Sequence, residues 1–232
     1  GSDDGLVHVS KDAGKNWKNV TPPNMPEWMM INSIEVDPHK KGAAYLVGTR
    51  YKLGDYQPYL YKTEDYGQSW KLIVKGIDKA HFTRTLRADP VRQGLLYAGT
   101  ESGIYISFDD GVNWQSMQLN LPIVPITDLA IKYNTLIAAT QGRSFWMIDD
   151  LTVLHQLKDE LKTKDYHLYT PMGSFRMGGR QNKKVIKKAG VNHMGGVMVN
   201  YYLNELPADS VKITLSFHEA NGNLIKAFSN KP

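Results

Sequence analysis

Cysteine is missing from this 232-residue chain. Its absence excludes disulfide frameworks, zinc sites built on thiolates and cysteine nucleophiles. The chain also lacks any run of 18 apolar residues, so no transmembrane helix is predicted. It has no glycine-rich phosphate loop and no Gly-x-Ser-x-Gly elbow, and its seven histidines are scattered without the spacing of a metal site. We therefore expect neither a metal nor an organic cofactor.

Positive charge is scarce in the larger part of the chain. Residues 1–150 hold 16 basic and 17 acidic side chains, whereas residues 151–232 hold 12 and 6. A protein that binds nucleic acid needs a basic face to displace the counterions of the phosphate backbone, so we expect no nucleic-acid partner. A basic run without acids between residues 176 and 188 is interpreted as a solvated loop, and a patch for polyanions or membrane surfaces is the alternative. Its basic side chains are Arg176, Arg180, Lys183, Lys184, Lys187 and Lys188.

The sequence does contain an internal repeat. Three segments share the pattern Ser/Thr-x-Asp-x-Gly-x-x-Trp, here called the box, and each follows a strand-like alternation of side chains. The pattern residues are Ser10, Asp12, Gly14 and Trp17 in the first box, Thr63, Asp65, Gly67 and Trp70 in the second, and Ser107, Asp109, Gly111 and Trp114 in the third. Successive boxes lie 53 and 44 residues apart. These spacings are close to the roughly 40–50 residues of a four-stranded propeller blade.

Each position of the box has a structural role. An Asp at a turn accepts backbone N–H groups and closes the hairpin, and a Gly at the fifth position allows a positive φ. The Trp at the eighth position starts the next strand and can bury its ring between neighbouring sheets. We therefore interpret Asp12, Asp65 and Asp109 as turn residues, and a catalytic role for them is the alternative.

A second pattern precedes the boxes of the two central units. Asp37-Pro38 and Asp89-Pro90 each mark a turn between two apolar strands. One unit thus reads strand A, turn, strand B, connection, strand C, box, strand D. In the last unit Asp149-Asp150 stands where the box should be, without the Gly.

When this four-strand unit is matched to the sequence, it predicts parts of four blades. Blade 1 (residues 1–20) has strands C and D, blade 2 (residues 31–75) and blade 3 (residues 83–119) are complete, and blade 4 (residues 126–150) has strands A to C. The predicted fold class is all-β, a partial β-propeller of about three blades of four antiparallel strands in residues 1–150. Propellers close with about four to eight blades, and an open arc leaves sheet edges exposed. We therefore expect this to be the C-terminal portion of a longer propeller, with the remaining blades before Gly1 as its partner.

Two further segments are predicted after the propeller. Residues 151–165 should hold a short amphipathic helix over 151–161 and a linker, because leucines recur there at helical spacing. Residues 166–232 should begin a β-sandwich of the immunoglobulin or fibronectin type, with a hairpin turn at Asn221-Gly222. About three strands cannot cover both faces of a sandwich, so this domain is expected to be incomplete.

Strand order assigns the connections of a propeller to two faces. The A–B and C–D turns lie on the back, and the B–C and D–A connections lie on the front, where ligand sites usually open. Residues 50–58 form the longest B–C loop of this chain, which makes the front of blade 2 a place to look for recognition. The candidate front-face binding residues are Glu27, Trp28, Arg50, Tyr51, Asp55, Tyr56, His81, Arg84, Glu101 and Arg143.

Three of these candidates, Glu27, Asp55 and Glu101, are acids. A glycosidase needs two carboxylates about 5–5.5 Å apart for retention or about 6.5–9.5 Å apart for inversion. The alternative is that each acid is a surface charge paired with an arginine of the same face. The sequence does not identify catalytic residues.

Longer runs resemble a family of large bacterial proteins with sortilin-like or sialidase-like Asp-box (BNR) repeat propellers, often labelled glycosyl hydrolases. The runs are residues 3–10, 54–63, 94–103 and 142–151, and with the boxes they cover about residues 3–157. The resemblance implies that the last run closes the propeller, that an immunoglobulin-like or fibronectin-like domain follows, and that the protein is exported to the periplasm or cell surface. The arginine triad and Tyr/Glu pair of sialidases are not identifiable here, and the catalytic Asp residues of xyloglucanase-type relatives match no position.

Two functions remain open from the sequence. In the first, an exported binding or scaffold module recognises a polypeptide or a glycan at the propeller mouth. In the second, the protein is a sialidase-like or xyloglucanase-like glycoside hydrolase whose catalytic carboxylates lie partly outside this chain. The absence of an evident acid pair favours the first, because a fold alone does not transmit activity.

Overall fold

The computed structural model describes residues 1–174 and 196–231. The basic run of residues 176–188 lies outside the described residues. Of those described, residues 1–155 form one compact unit, and residues 156–174 together with 196–231 form a second. The predicted all-β class is confirmed, because the described chain is built of antiparallel sheets and its helices are short. In this part of the chain no helix has both the length and the apolar character needed to cross a membrane.

Blades 1 and 2 have the predicted order of strands. Blade 1 is a pair of short strands, β1 (His8–Val9) and β2 (Lys18–Asn19). Blade 2 is a four-stranded sheet of β3 (Met30–Val36), β4 (Ala44–Arg50), β5 (Asp55–Thr63) and β6 (Lys71–Leu72). A 3-10 helix at Tyr51–Leu53 leads from β4 into β5. Every pair of neighbouring strands is antiparallel, as a blade requires.

Blade 3 repeats this arrangement, and blade 4 has one strand fewer. Blade 3 consists of β7 (Thr83–Ala88), β8 (Leu96–Thr100), β9 (Gly103–Ser107) and β10 (Gln115–Ser116). Blade 4 consists of β11 (Ile126–Lys132), β12 (Thr135–Thr140) and β13 (Phe145–Ile148). The A strands of blades 2, 3 and 4 are neighbours in space, since β7 contacts both β3 and β11. Consecutive sheets therefore face each other through their inner strands.

The three boxes share one set of hydrogen bonds. In blade 3 the Ser107 hydroxyl donates to Oδ1 of Asp109 (2.9 Å) and accepts the N–H of Gly111 (2.9 Å). Asp109 also accepts the backbone N–H of Asn113 (2.8 Å) and the amide of its side chain (2.7 Å). The other boxes make the corresponding bonds, with the Ser69 hydroxyl replacing the Asn amide in blade 2. All three carboxylates thus bond groups of their own turns.

The glycine of the box is required for two reasons. Its φ lies between 81° and 86° in all three copies, where a Cβ is unfavourable. In blades 2 and 3 it also lies close to the preceding blade: a Cβ on Gly111 would be 2.6 Å from the Ile73 side chain, and one on Gly67 would be 2.8 Å from Val20. The residue before each glycine has a positive φ as well, a feature that the sequence analysis did not predict.

The box tryptophans link consecutive blades. Trp114 is only 5% exposed, and its Nε1 donates to the carbonyl of Ile73 in blade 2 (2.7 Å). Trp70 is half-buried and donates in the same way to the carbonyl of Val20 in blade 1 (2.7 Å). Each acceptor lies three residues after the tryptophan of the preceding box. Trp17 is 64% exposed, and its Nε1 donates to a carbonyl of its own box (3.1 Å).

The prediction of a single helix over residues 151–161 is wrong. The structure has a helix α1 only at Thr152–Gln156 and a separate 3-10 helix at Asp159–Thr163. Leu151 is fully buried in the core between blades 3 and 4, whereas Leu161 is buried in the second unit. The leucine spacing therefore crosses the boundary between two units and does not describe one helix face.

The second unit contains two small antiparallel sheets. One pairs β14 (Tyr166–Leu168) with β15 (Tyr201–Leu203), and the other pairs β16 (Thr214–His218) with β17 (Leu224–Ser229). The turn between β16 and β17 has Gly222 at φ 92°, and its N–H donates to the carbonyl of Glu219 (2.9 Å). The immunoglobulin-like or fibronectin-like sandwich stays a prediction.

Candidate functional site

Hydrogen bonds between turns separate the two ends of blades 2 and 3. At one end the N–H groups of Tyr66 and Asp110, both in boxes, donate to carbonyls of the A–B turns at 2.9 and 2.8 Å. At the other end the N–H of Glu101, in the B–C turn of blade 3, donates to the carbonyl of Phe82 in the D–A connection (3.0 Å). The boxes therefore lie at the opposite end from the B–C and D–A connections in these two blades.

Arg50 joins two of these connections. Its Nη1 lies 2.9 Å from Oδ2 of Asp55, and its Nε donates to the carbonyl of Glu27 (3.0 Å). The Tyr59 hydroxyl also donates to Oδ2 of Asp55 (2.7 Å), and the N–H of Gln57 donates to Oδ1 (3.1 Å). Burial alone would raise the pKa of Asp55, but the bonds from Tyr59, Gln57 and Arg50 outweigh it and hold the pKa below its ordinary value. Asp55 is therefore ionised at neutral pH.

An aromatic patch lies next to this ion pair. Tyr51 stacks on Phe82 with ring centroids 5.1 Å apart and planes at 14°, and Tyr56 contacts the same ring at 6.2 Å. Phe82 is buried beneath them, and Tyr56 and Leu53 are exposed. The loop can fold over Phe82 because Gly54 ends the 3-10 helix in the left-handed conformation, at φ 75°.

A second ion pair borders the aromatic patch. Nε and Nη2 of Arg84 each lie 2.6 Å from Oε2 of Glu101. The guanidinium carbon of Arg84 lies 5.1 Å from the centroid of Phe82 and 5.9 Å from that of Tyr51. Arg84 thus makes cation–π contacts with the rings of Phe82 and Tyr51, and Glu101 neutralises its positive charge.

Trp28 is the most exposed aromatic residue of the front connections. Its side chain is 67% exposed, and its backbone has φ 57°, which is uncommon and costly for a bulky residue. A cavity of about 350 Å³ beside it is lined in part by Leu6, Met25 and Glu27. Unfavourable backbone conformations concentrate at functional sites, so Trp28 is a candidate contact residue.

Seven of the ten candidate residues meet, directly or through one neighbour, in a group here called the front cluster. Its members are Glu27, Arg50, Tyr51, Asp55, Tyr56, Arg84 and Glu101, together with Phe82, Tyr59 and Leu53, which the sequence analysis missed. Trp28 follows Glu27 in sequence and lines the cavity beside it. His81 is next to Phe82 in sequence, but its Nδ1 lies 2.9 Å from the Tyr105 hydroxyl. Arg143 is exposed in the B–C turn of blade 4, and within the described residues its side chain has no contact with the cluster.

The three acids of the front cluster differ in their partners. Asp55 and Glu101 are each held by an arginine, and the Glu27 side chain is exposed without a hydrogen-bond partner among the described residues. Two of the three carboxylates are therefore already bonded to a positive charge, and Glu27 faces solvent.

No protein-family model and no curated protein matches the chain. Solved structures do match it. YCF48 bound to a D1 peptide is 22% identical with a TM-score of 0.49, over 64% of this chain and 46% of that one. The GH74 enzyme of Niastella koreensis is 15% identical with a TM-score of 0.50, over 64% of this chain and 26% of the enzyme. The GH74 xyloglucanase of Xanthomonas campestris is 16% identical with a TM-score of 0.49, over 64% and 26%.

The likeness shows a β-propeller fold. At these identities it shows the fold alone. The chain spans less than half the length of each of the three proteins. The ligands and reactions of those three proteins are therefore not assigned to this chain.

Proposed function

We propose that the protein is a binding module whose front cluster recognises a polypeptide segment. The observation that carries this proposal is the exposure of Leu53 and Tyr56, 57% and 54%, in the loop that follows Arg50 and folds over Phe82 beside Arg84. Trp28, next to Glu27, is 67% exposed. Exposed apolar groups rimmed by polar ones are typical of protein interaction sites. Trp, Tyr and Arg are also the residue types that contribute most to binding energy in protein interfaces.

The polar groups of the front cluster favour a polypeptide over a glycan. A glycan also stacks on aromatic rings, but its hydroxyls need free polar partners in the site. Here the carboxylates of Asp55 and Glu101 already bond arginine side chains, so that of the three acids only the exposed Glu27 is left to bond a hydroxyl. A polypeptide can instead bury apolar side chains against Leu53 and the tyrosines.

A glycoside hydrolase is the second candidate. Its support is the fold shared with a GH74 enzyme, which does not extend to activity. A glycosidase acid needs a raised pKa, and the pKa of Asp55 is lowered. Asp55 therefore does not fit the role of the acid, and this function would need another carboxyl to supply the proton.

Export from the cytoplasm is part of the proposal. Its support is the resemblance of residues 3–157 to Asp-box proteins that are typically exported. Fractionation of cells that express the natural gene, with detection of the protein by antibody, tests this location independently of ligand binding.

The binding proposal is tested by selecting ligands with the full chain. Peptides of 12 residues displayed on phage are selected on the immobilised protein, and the affinity of a selected peptide is measured by fluorescence anisotropy. Tyr51→Ala should weaken binding by about tenfold or more, because it removes an interface tyrosine and uncovers Phe82. Tyr133→Ala, which alters an exposed tyrosine at the A–B turn of blade 4, should leave the affinity unchanged. Binding that is equally affected, or unaffected, by the two variants contradicts the proposal.

The hydrolase reading is tested in parallel. The same protein is applied to a glycan array and incubated with a panel of oligosaccharides. Turnover that is lost in Glu27→Gln or Asp55→Asn, with the fold intact by circular dichroism, would establish the hydrolase and displace the binding module.

A further inference from the structure

The cavity of about 350 Å³ beside Trp28 is here called the blade 1 pocket. One wall is the B–C connection of blade 1, at residues 4–6, and the other is its D–A connection, at Thr21 and residues 25–28. Both walls therefore belong to blade 1 and to the segment that leads out of it. Nε of Arg50 donates to the carbonyl of Glu27 (3.0 Å), so the pocket borders the front cluster.

A short side chain keeps the blade 1 pocket open. Thr21 lies four residues after the box tryptophan of blade 1, and Gln118 holds the same position in blade 3. The Gln118 amide donates to two carbonyls of its own D–A connection, at 2.9 and 2.8 Å, and it fills the space where a Cβ on Gly103 would lie. Thr21 is shorter, and its hydroxyl accepts the N–H of Val7 (2.9 Å). The space that Gln118 fills in blade 3 is therefore left open in blade 1.

The charge of the blade 1 pocket is negative. Asp4 and Glu27 line it, and none of its lining residues in the described chain is basic. A hydrogen bond from the Ser2 hydroxyl lowers the pKa of Asp4, which is therefore ionised at neutral pH. The Glu27 side chain is exposed, and Arg50, which bonds the Glu27 carbonyl, is neutralised by Asp55. Because a cleft lined by one sign of charge attracts the opposite sign, this pocket favours a cation.

The other walls suit the stem of a basic side chain. Trp28 is 67% exposed, and the face of an indole attracts a cation that lies over it. Leu6, Met25 and Pro26 add apolar surface, along which the methylene groups of a lysine or an arginine can lie while the charged end stays near water. Ligand pockets measure roughly 300–1,000 Å³, so a cavity of about 350 Å³ suits one side chain better than a large ligand.

We propose that the blade 1 pocket binds the lysine or arginine side chain of a polypeptide that the front cluster recognises. The charged end lies between the carboxylates of Asp4 and Glu27 and against the ring of Trp28, and the stem lies along Met25. The identity of the ligand as a polypeptide rests on the function proposed above. The basic side chain is an additional requirement, which follows from the chemistry of the pocket.

The first test needs no peptide. The protein is produced from the complete natural gene, so that any blade encoded before Gly1 is present, and its methionine methyl groups are labelled with ¹³C. The Met25 signal is assigned with Met25→Leu. Acetyl-lysine methylamide should shift this signal saturably with a millimolar dissociation constant, the affinity expected for a ligand of this size. Acetyl-norleucine methylamide has a similar stem without the charge and should bind about threefold more weakly or worse. Equal binding of the two probes, or no shift because other blades cover the pocket, overturns the proposal.

Three variants locate the binding of the lysine probe. Glu27→Gln removes one carboxylate at nearly the same size, and Trp28→Leu keeps an apolar side chain but removes the ring. Each should weaken binding by about threefold. Glu160→Gln removes an exposed acid in the second unit and should leave the affinity unchanged. Loss of affinity in all three variants, or in none, contradicts the proposal.

Salt gives the same information without any substitution. Added sodium chloride screens charges that are exposed to solvent, so it should weaken the lysine probe and leave the norleucine probe unaffected. Circular dichroism checks that each variant is folded, and should one fail to fold, the salt dependence of the unaltered protein decides. An equal effect of salt on the two probes overturns the proposal.

The peptides selected on the front cluster supply the last test. A selected peptide should contain a lysine or arginine whose replacement by norleucine weakens binding to the unaltered protein, and weakens it less in Glu27→Gln. Tyr51→Ala should leave the affinity of the lysine probe unchanged, so the two proposals can fail separately. A peptide that is sensitive to Tyr51→Ala but insensitive to Glu27→Gln would leave peptide binding in place and overturn the role of the blade 1 pocket.

Discussion

Nε2 of His155 lies 2.9 Å from Oδ2 of Asp89, a carboxylate that is fully buried. Oδ1 of Asp89 accepts the N–H groups of Val91 and Arg92, each at 2.8 Å, and the Tyr97 hydroxyl lies 3.3 Å from Oδ2. His155 belongs to α1, which follows blade 4 directly. The segment that replaces the fourth box is therefore tied to the Asp-Pro turn of blade 3.

Removal of this contact should destabilise the first unit. His155→Ala leaves the buried Asp89 with one partner fewer, and the expected loss is about 1–3 kcal/mol in the free energy of unfolding. His8→Ala alters an exposed histidine and should change it by less than about 0.5 kcal/mol. Urea denaturation at neutral pH measures both. Similar losses in the two variants would mean that the His155–Asp89 contact does not stabilise the fold.

The box tryptophans should differ in their importance for stability. Trp114→Ala removes a buried ring and its bond to Ile73, so we expect a loss of about 3–5 kcal/mol. Trp17→Ala removes a ring that is largely exposed, and the loss should be below about 1 kcal/mol. Denaturant unfolding of the full chain, followed by circular dichroism, compares the two. A larger loss for Trp17 would show that its ring is covered in solution.

The lowered pKa of Asp65, in the box of blade 2, predicts a loss of stability in acid. Hydrogen bonds from the Ser69 side chain and backbone lower the pKa of Asp65 from 3.8 to about 2. Because the folded state has the lower pKa, the ionised carboxylate stabilises the fold above pH 4, and this contribution is lost as the pH falls through 2. Asp65→Asn should flatten the fall in unfolding free energy between pH 4 and pH 2, measured by denaturation at each pH. A variant with the same slope as the unaltered chain would contradict this account.

The hairpins of the boxes could be predicted because their bonds are local. Asp109 bonds groups no more than four residues away, so residue types and spacing suffice to recognise the turn. The prediction of one helix over 151–161 failed because the burial of its leucines depends on contacts that are not local. Whether Leu161 continues the face of Leu151 depends on which unit buries it, and that is a property of the tertiary structure.

The front cluster could be predicted only in part for the same reason. Arg50 and Asp55 are five residues apart and lie opposite each other at the start of β5, so their pairing follows from a short loop. Phe82 is an ordinary apolar residue in the sequence, and it becomes the centre of the cluster only when residues 51–56 fold over it. Arg143 shares the turn type of Glu101, but it belongs to blade 4 and lies apart from the cluster.

Tyr59 reports on the charge of its neighbour in the front cluster. Burial raises the pKa of Tyr59 above 10.0, and the hydrogen bond and negative charge of Asp55 raise it further. Asp55→Asn removes the charge, so the pKa of Tyr59 should fall toward 10.0 without reaching it, because the burial remains. Nuclear magnetic resonance of ¹³Cζ-labelled tyrosine during an alkaline titration measures the change, and Tyr59→Phe assigns the signal. Glu101→Gln removes a carboxylate that does not contact Tyr59, and it should leave this pKa in place. If Asp55→Asn left the Tyr59 pKa unchanged or raised it, the bond between the two side chains would be absent in solution.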